Sequence, residues 1–220
     1  MTATVGGCEQ NPGAAEDTSG DVGTTEGIGG GTTDGAEEAA CVGIEPGPSP
    51  IRRLTRREYD NTVRDLLGDD SKPASAFPAE EEALGFNNNA DALVVTQLLA
   101  EQYLQAAETL AEKAVADLPK LLGKCDVGAE GEDACARRFI EEFGFRAFRR
   151  PLAEDEVAAL FDLYDGARGE FDFATGIRLV VTTILQSPHF LYRVEFGAPP
   201  EPGAEVVKLT PYELASRLSY

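Results

Sequence analysis

The sequence predicts an all-α protein: a helical bundle of about five to six helices, preceded by a disordered acidic Gly/Thr-rich arm. Three observations lead there. Apolar residues recur at helical spacing in the long segments beyond residue 51. No segment sustains an alternation of period two, so no sheet is expected. The composition also breaks near residue 50, with 12 of the 23 glycines lying before that point.

Residues 1–50 carry nine acidic side chains and no Lys or Arg. A stretch such as "GTTEGIGGGTTDGAEEAA" has almost nothing to bury, and burial cannot offset the entropy of ordering it. A flexible linker or tether is the plain reading. Val5–Cys8, "VGGC", resembles the box before the lipid-bearing Cys of bacterial lipoproteins, which makes Cys8 a lipidation candidate and suggests a membrane tether. Only seven residues precede Cys8, without a basic and apolar leader, so lipidation requires an upstream start. The alternative is an ordinary Cys in the arm.

The first helix opens at Thr55, with Glu58 completing a capping box, and closes at Gly68. Leu54, Tyr59, Val63, Leu66 and Leu67 form its apolar face. The second and longest is expected from about Asp91 to Asp117. Leu93, Val94, Leu98, Leu99, Tyr103, Ala107, Leu110, Ala114, Val115 and Leu118 define its buried side, and Pro119 marks its end. The third spans about Asp133 to Phe148 and carries Phe139, Ile140, Phe143, Ala147 and Phe148. The fourth follows Pro151, with an acidic first turn that complements the helix dipole; Val157, Leu160, Phe161 and Tyr164 face inward. The fifth, about Phe173 to Gln186, buries Ile177, Val180, Val181, Ile184 and Leu185 and stops at Pro188.

The last segment, "KLTPYELASRLSY", has Thr210 as N-cap, Pro211 at the first helical position and Glu213 closing the box. Leu209 and Leu214 are placed as a hydrophobic staple. Such a helix with no C-cap is expected to continue, which makes the chain a fragment of a longer protein. The implied division is a 1–50 linker or tether, a 51–118 helical domain, a 119–200 second helical domain and a 205–220 start of a third.

Composition excludes several classes. The formal net charge is −20, of which residues 51–220 contribute −11. That excess disfavours nucleic acid, whose phosphates need a basic surface, and charge-driven docking on anionic lipid. No apolar run approaches the roughly 18 residues of a transmembrane helix. There is no C-x-x-C-H, so no c-type haem attaches to this chain, and one His with these Cys spacings argues against a structural zinc.

Cys125 and Cys135 flank the polar, Gly-containing loop "DVGAEGEDA" and are the pair expected to form a disulfide. A bridge there implies an oxidising, extracytoplasmic compartment such as a periplasm or cell surface. The alternative is two free thiols. Cys8 and Cys41 have no evident partner except each other.

Other candidates are weaker. His189 is the single imidazole, able to serve as base or ligand, or simply to pack. Asn87, Asn88 and Asp91 in "FNNNAD", with Glu80, Glu81 and Glu82 upstream, offer oxygen ligands for a hard cation such as calcium, but fit no EF-hand and equally suit turns and caps. Arg52, Arg53, Arg56 and Arg57 form one basic cluster, and Arg146, Arg149 and Arg150 another. Both could grip a carboxylate or phosphate; in so acidic a chain, pairing with Glu and Asp on neighbouring helices is the simpler expectation. Glu141–Glu142 and Glu154–Asp155–Glu156 read as solvated faces. No catalytic residue is assigned.

Five stretches occur in one order: "LTRREYDNTVRDLLG", "FNNNADALVVTQLLAEQYLQAAE", "CARRFIEEFGFRAFRRPLAEDEV", "ILQSPHFLYRVE" and "LTPYELASRLSY". Together they resemble the multi-domain proteins of unknown function of planctomycetes and myxobacteria, built from the planctomycete-specific domain series. The resemblance implies an extracytoplasmic protein whose final motif runs on into further domains, and a setting beside c-type cytochrome domains. It carries no reaction. Two functions remain open: a scaffold or interaction module, and the N-terminal part of a redox-linked enzyme whose site lies further along. In the first case the partners are other domains of the longer chain or a separate protein.

Overall fold

In the computed structural model the described residues are 49, 51–79, 95–199 and 206–220. The arm, Cys8, Cys41, the Glu80–Glu82 run, Asn87, Asn88, Asp91, Leu93 and Val94 lie outside them, so the lipidation and cation expectations are not reached by the structure.

The described chain is mostly helical, as expected, with six helices of nine residues or more: α1 (Arg56–Leu67), α2 (Gln97–Val115), α5 (Glu132–Phe148), α6 (Glu154–Glu170), α7 (Phe173–Gln186) and α9 (Pro211–Ser219). Three short helices, α3 (Leu118–Leu122), α4 (Val127–Glu130) and α8 (Pro188–Leu191), and a 3₁₀ turn (Pro73–Ala76) fill the connections.

Local chemistry fixes most ends. Thr55 accepts from the Glu58 backbone N–H at 3.2 Å, and its own N–H donates to Glu58 Oε2 at 2.7 Å. Gly68 closes α1 at φ 70°, a conformation only glycine adopts freely. Asp172 caps α7 through the Thr175 N–H at 2.7 Å. Thr210 and Glu213 form the expected box at α9.

Several boundaries differ from the sequence expectation. α2 is capped by Thr96, which accepts from the Leu99 N–H at 3.2 Å. Pro119 lies in the first turn of α3 behind an Asp117 cap, and Pro188 opens α8 behind a Ser187 cap. Both prolines begin a helix as well as ending one, because the first turn needs no proline N–H. Leu98, expected on the buried side of α2, is 57% exposed, while Leu99, Tyr103, Ala107 and Leu110 are buried. The expectation of no sheet also needs correcting. β1 (Arg52–Arg53) and β2 (Tyr192–Arg193) pair antiparallel, Arg52 opposite Arg193 and Arg53 opposite Tyr192. Leu54 N–H extends the ladder to Leu191 O at 2.8 Å. Two residues per strand are too few to show alternation in a sequence.

α7 lies at the centre, packed along α2 on one side and α6 on the other, with α5 against both α6 and α7. Ile177, Val180, Val181, Ile184 and Leu185 are fully buried there. One apolar core runs from Tyr59 to Leu191 and includes residues on both sides of position 118. At one end four rings meet: Tyr59 of α1, Phe77 after the 3₁₀ turn, Tyr103 of α2 and Phe190 of α8, with centroid distances of 4.8–5.9 Å. Residues 49–220 form one compact unit.

Candidate functional site: an arginine-lined pocket

The short α8 and β2 turn the chain back across the end of α5. They bring His189 and Arg193 beside Arg149, Arg150 and Pro151, and α9 closes the other wall of a cavity of about 290 Å³. Four arginines (Arg149, Arg150, Arg193, Arg217) and two glutamates (Glu195, Glu213) line it.

Two of the arginines are neutralised. Arg150 forms a fork on Glu156, Nη1 to Oε2 and Nη2 to Oε1, both 2.7 Å. The same carboxylate accepts the Ala153 N–H at 2.8 Å at the start of α6. The Arg150 bonds hold Glu156 far below the usual carboxylate range, at about 2. Arg217 grips Glu195 through Nε at 3.0 Å and through Nη2, and the Ser49 hydroxyl donates to the same carboxylate. The Arg217 bonds lower the Glu195 pKa most.

The other two have no such partner. Arg149 is the C-cap of α5 at φ 61°, left-handed backbone that a β-carbon resists. Its Nη2 reaches the carbonyls at the end of α8, those of His189 (3.0 Å), Phe190 (2.9 Å) and Tyr192 (3.1 Å). Its Nη1 donates to the Tyr220 hydroxyl at 3.3 Å. Arg193 is only 7% exposed, and its Nε and Nη2 are buried with no hydrogen-bond partner among the described residues. Burial is the main influence on its pKa and pushes it down. The Tyr220 ring stands 5.2 Å from the Arg193 guanidinium and 5.4 Å from that of Arg149. An unsatisfied buried polar group costs roughly 1–3 kcal/mol, and a charged one more. His189 adds a second orphan. Its Nδ1 is buried and unpartnered, while Nε2 lies 3.6 Å from Glu156 Oε1.

Of the candidates read from sequence, the structure therefore brings His189, Arg149 and Arg150 together. The expectation that the arginine clusters pair with carboxylates holds for Arg150, whereas Arg146 and Arg149 donate to backbone carbonyls; Arg56 donates to those of Ala74 and Ser75. Glu154 and Asp155 are solvated as expected, but Glu156 turns inward to Arg150. Arg193, Glu195, Arg217 and Tyr220 had no distinguishing signal in the sequence. Cys125 and Cys135 form the expected disulfide, with Cα atoms 5.6 Å apart. Glu130 lies close to both sulfurs, but sulfurs joined to each other are not free metal ligands.

Residues 52–116 match the PSD3 family and residues 135–195 the PSD5 family, described as proteins of unknown function (DUF1587 and DUF1595 respectively). The chain is a PSD3–PSD5 protein of the planctomycete-specific domain series. No match was found among curated proteins or solved structures. The PSD3 and PSD5 segments share the apolar core and the β1–β2 ladder. Arg149, Arg150, His189, Arg193 and Glu195 all fall in the PSD5 segment, whereas Tyr220 hydrogen-bonds Thr62 of the PSD3 segment at 2.8 Å. None of the described helices is long and apolar enough to cross a membrane.

Proposed function

We propose that this PSD3–PSD5 protein is an extracytoplasmic scaffold or interaction module. The observation that carries the reading is α9. It is well capped and amphipathic, yet buries no residue: Leu214 is 51% and Leu218 82% exposed, and nearby Phe196 is 75% exposed. Apolar side chains grouped in water on and beside one helix mark a surface for another polypeptide. The Cys125–Cys135 disulfide supports the compartment, since such bonds persist where the redox poise is oxidising. The partner is a further domain of a longer chain or a separate protein, and the family resemblance points to one bearing a c-type cytochrome domain. Lipid at Cys8 would tether the module to a membrane.

The test uses a photoreactive residue replacing Leu218 in cells, with one replacing exposed Thr109 of α2 as control. A defined adduct from position 218 alone is expected, and haem staining of that adduct checks the cytochrome reading. Equal labelling from both positions, or none from 218, refutes the interaction surface. Acid-trapped cells should show Cys125 and Cys135 oxidised, and reduced thiols would remove the compartment assignment. Loss of labelled fatty acid in Cys8→Ser tests the tether.

A further inference from the structure

We propose that the pocket between the end of α5, β2 and α9 binds an organic monocarboxylate, with the Nε–Nη2 edge of Arg193 as its anchor. This site does not depend on the interaction reading. Nε and Nη2 lie on one edge of the guanidinium and present two parallel N–H donors, the fork that matches the two oxygens of a carboxylate. Both atoms are buried and unpartnered. The Tyr220 ring takes a face of the guanidinium and leaves that edge unused. The chain has 39 acidic residues, yet among the described ones none lies within ion-pair distance of Arg193 or Arg149. The two other arginines of the pocket, Arg150 and Arg217, are each forked onto a glutamate. Among the described residues the pocket therefore holds two guanidinium groups that no carboxylate hydrogen-bonds, with Glu58 and Glu195 acting on Arg193 only through space, and beside them the unpartnered Nδ1 of His189.

The rest of the wall selects the ligand. Phe148, Tyr192 and Tyr212 supply apolar surface, and a volume of about 290 Å³ suits a small molecule. Glu195 and Glu213 also line the cavity. A dianion such as phosphate would face both, whereas a singly charged carboxylate on an apolar body satisfies the fork and covers the rings.

The probe is sodium benzoate, titrated into the full chain at constant ionic strength while the Arg193 Nε–Hε resonance is followed by NMR. Saturable shifts at about 10 mM or below are expected. Arg193→Lys keeps the charge but loses the fork, and should weaken binding about tenfold or more. Arg138→Lys, outside the pocket and paired with Glu130, should bind as the parent does. No saturable shift, or equal binding of uncharged benzyl alcohol, overturns the proposal. Inorganic phosphate binding as tightly as benzoate overturns the choice of ligand class. If Arg193→Lys does not fold, the Arg193 resonance of the unaltered protein decides alone.

Discussion

Gly176 and Gly166 lie on adjacent helices, and replacing each by Ala should change stability in opposite directions. Gly176 sits in the first turn of α7, where a β-carbon would meet Tyr164 Cδ2 at 2.7 Å and the Tyr164 carbonyl oxygen at 2.9 Å. The ring cannot swing aside: Tyr164 is fully buried, its hydroxyl donates to Asp133 at 3.2 Å, and Phe173 packs edge-on at 5.9 Å. The carbonyl belongs to α6 itself, so the helices must move apart. Overpacking of this kind costs about 1–3 kcal/mol, partly offset by up to about 1 kcal/mol of better helix propensity. Gly176→Ala should therefore destabilise by about 1–2 kcal/mol. At Gly166 in α6 a β-carbon meets nothing within 4 Å, and Ala should stabilise by about 0.5–1 kcal/mol. For a body of this size each kcal/mol moves Tm by about 2–4 °C. Thermal unfolding followed by far-UV circular dichroism reads both changes. A neutral or stabilising Gly176→Ala would refute the close α6–α7 approach that seats α7 in the core.

Other perturbations test other parts of the molecule. The disulfide closes a loop with a sequence separation of 10, which on the chain-entropy relation is worth about 3 kcal/mol; Cys125→Ala with Cys135→Ala should lower the urea midpoint, and an unchanged midpoint would deny the bond a stabilising role. Arg150 holds Glu156 at about 2, below its ordinary 4.5, so that contribution is fully present above about pH 4.5 and fades as pH falls towards 2. Glu156 is partly solvated, so screening reduces the effect to about 1 kcal/mol; Arg150→Met should lose stability at pH 6 and converge on the parent near pH 2, and parallel pH curves would contradict the pairing. Arg149→Ala should cost about 2 kcal/mol by freeing three carbonyls, while Arg149→Gly should recover about 1 kcal/mol of that by relieving φ 61°; equal values in chemical denaturation would argue against backbone strain.

The helices whose signals are local were legible before the structure. Thr55 with Glu58, Thr210 with Glu213 and the α7 stripe from Ile177 to Leu185 each carry cap and periodicity within a dozen residues. What escaped depends on distant neighbours. Leu98 fits the apolar pattern of α2 but faces away from α7, a matter of which side the partner helix takes. Pro119 and Pro188 read equally well as the end of one helix or the start of the next. Arg149 and Arg150 are adjacent in sequence, yet one caps α8 and the other forks onto α6, because the αL turn at Arg149 sends their side chains to different elements. Arg193 carries no local sign of its burial in the sequence. It sits in the β1–β2 ladder, which pairs residues 139 and 141 positions apart and leaves no local trace.

The central structural claim is that the PSD3 and PSD5 segments fold as one body around α7. Differential scanning calorimetry of the full chain tests it directly. One cooperative transition is expected, with calorimetric and van't Hoff enthalpies equal. Two separable transitions, with the aromatic cluster of Tyr59, Phe77 and Tyr103 melting apart from α5–α7, would contradict it.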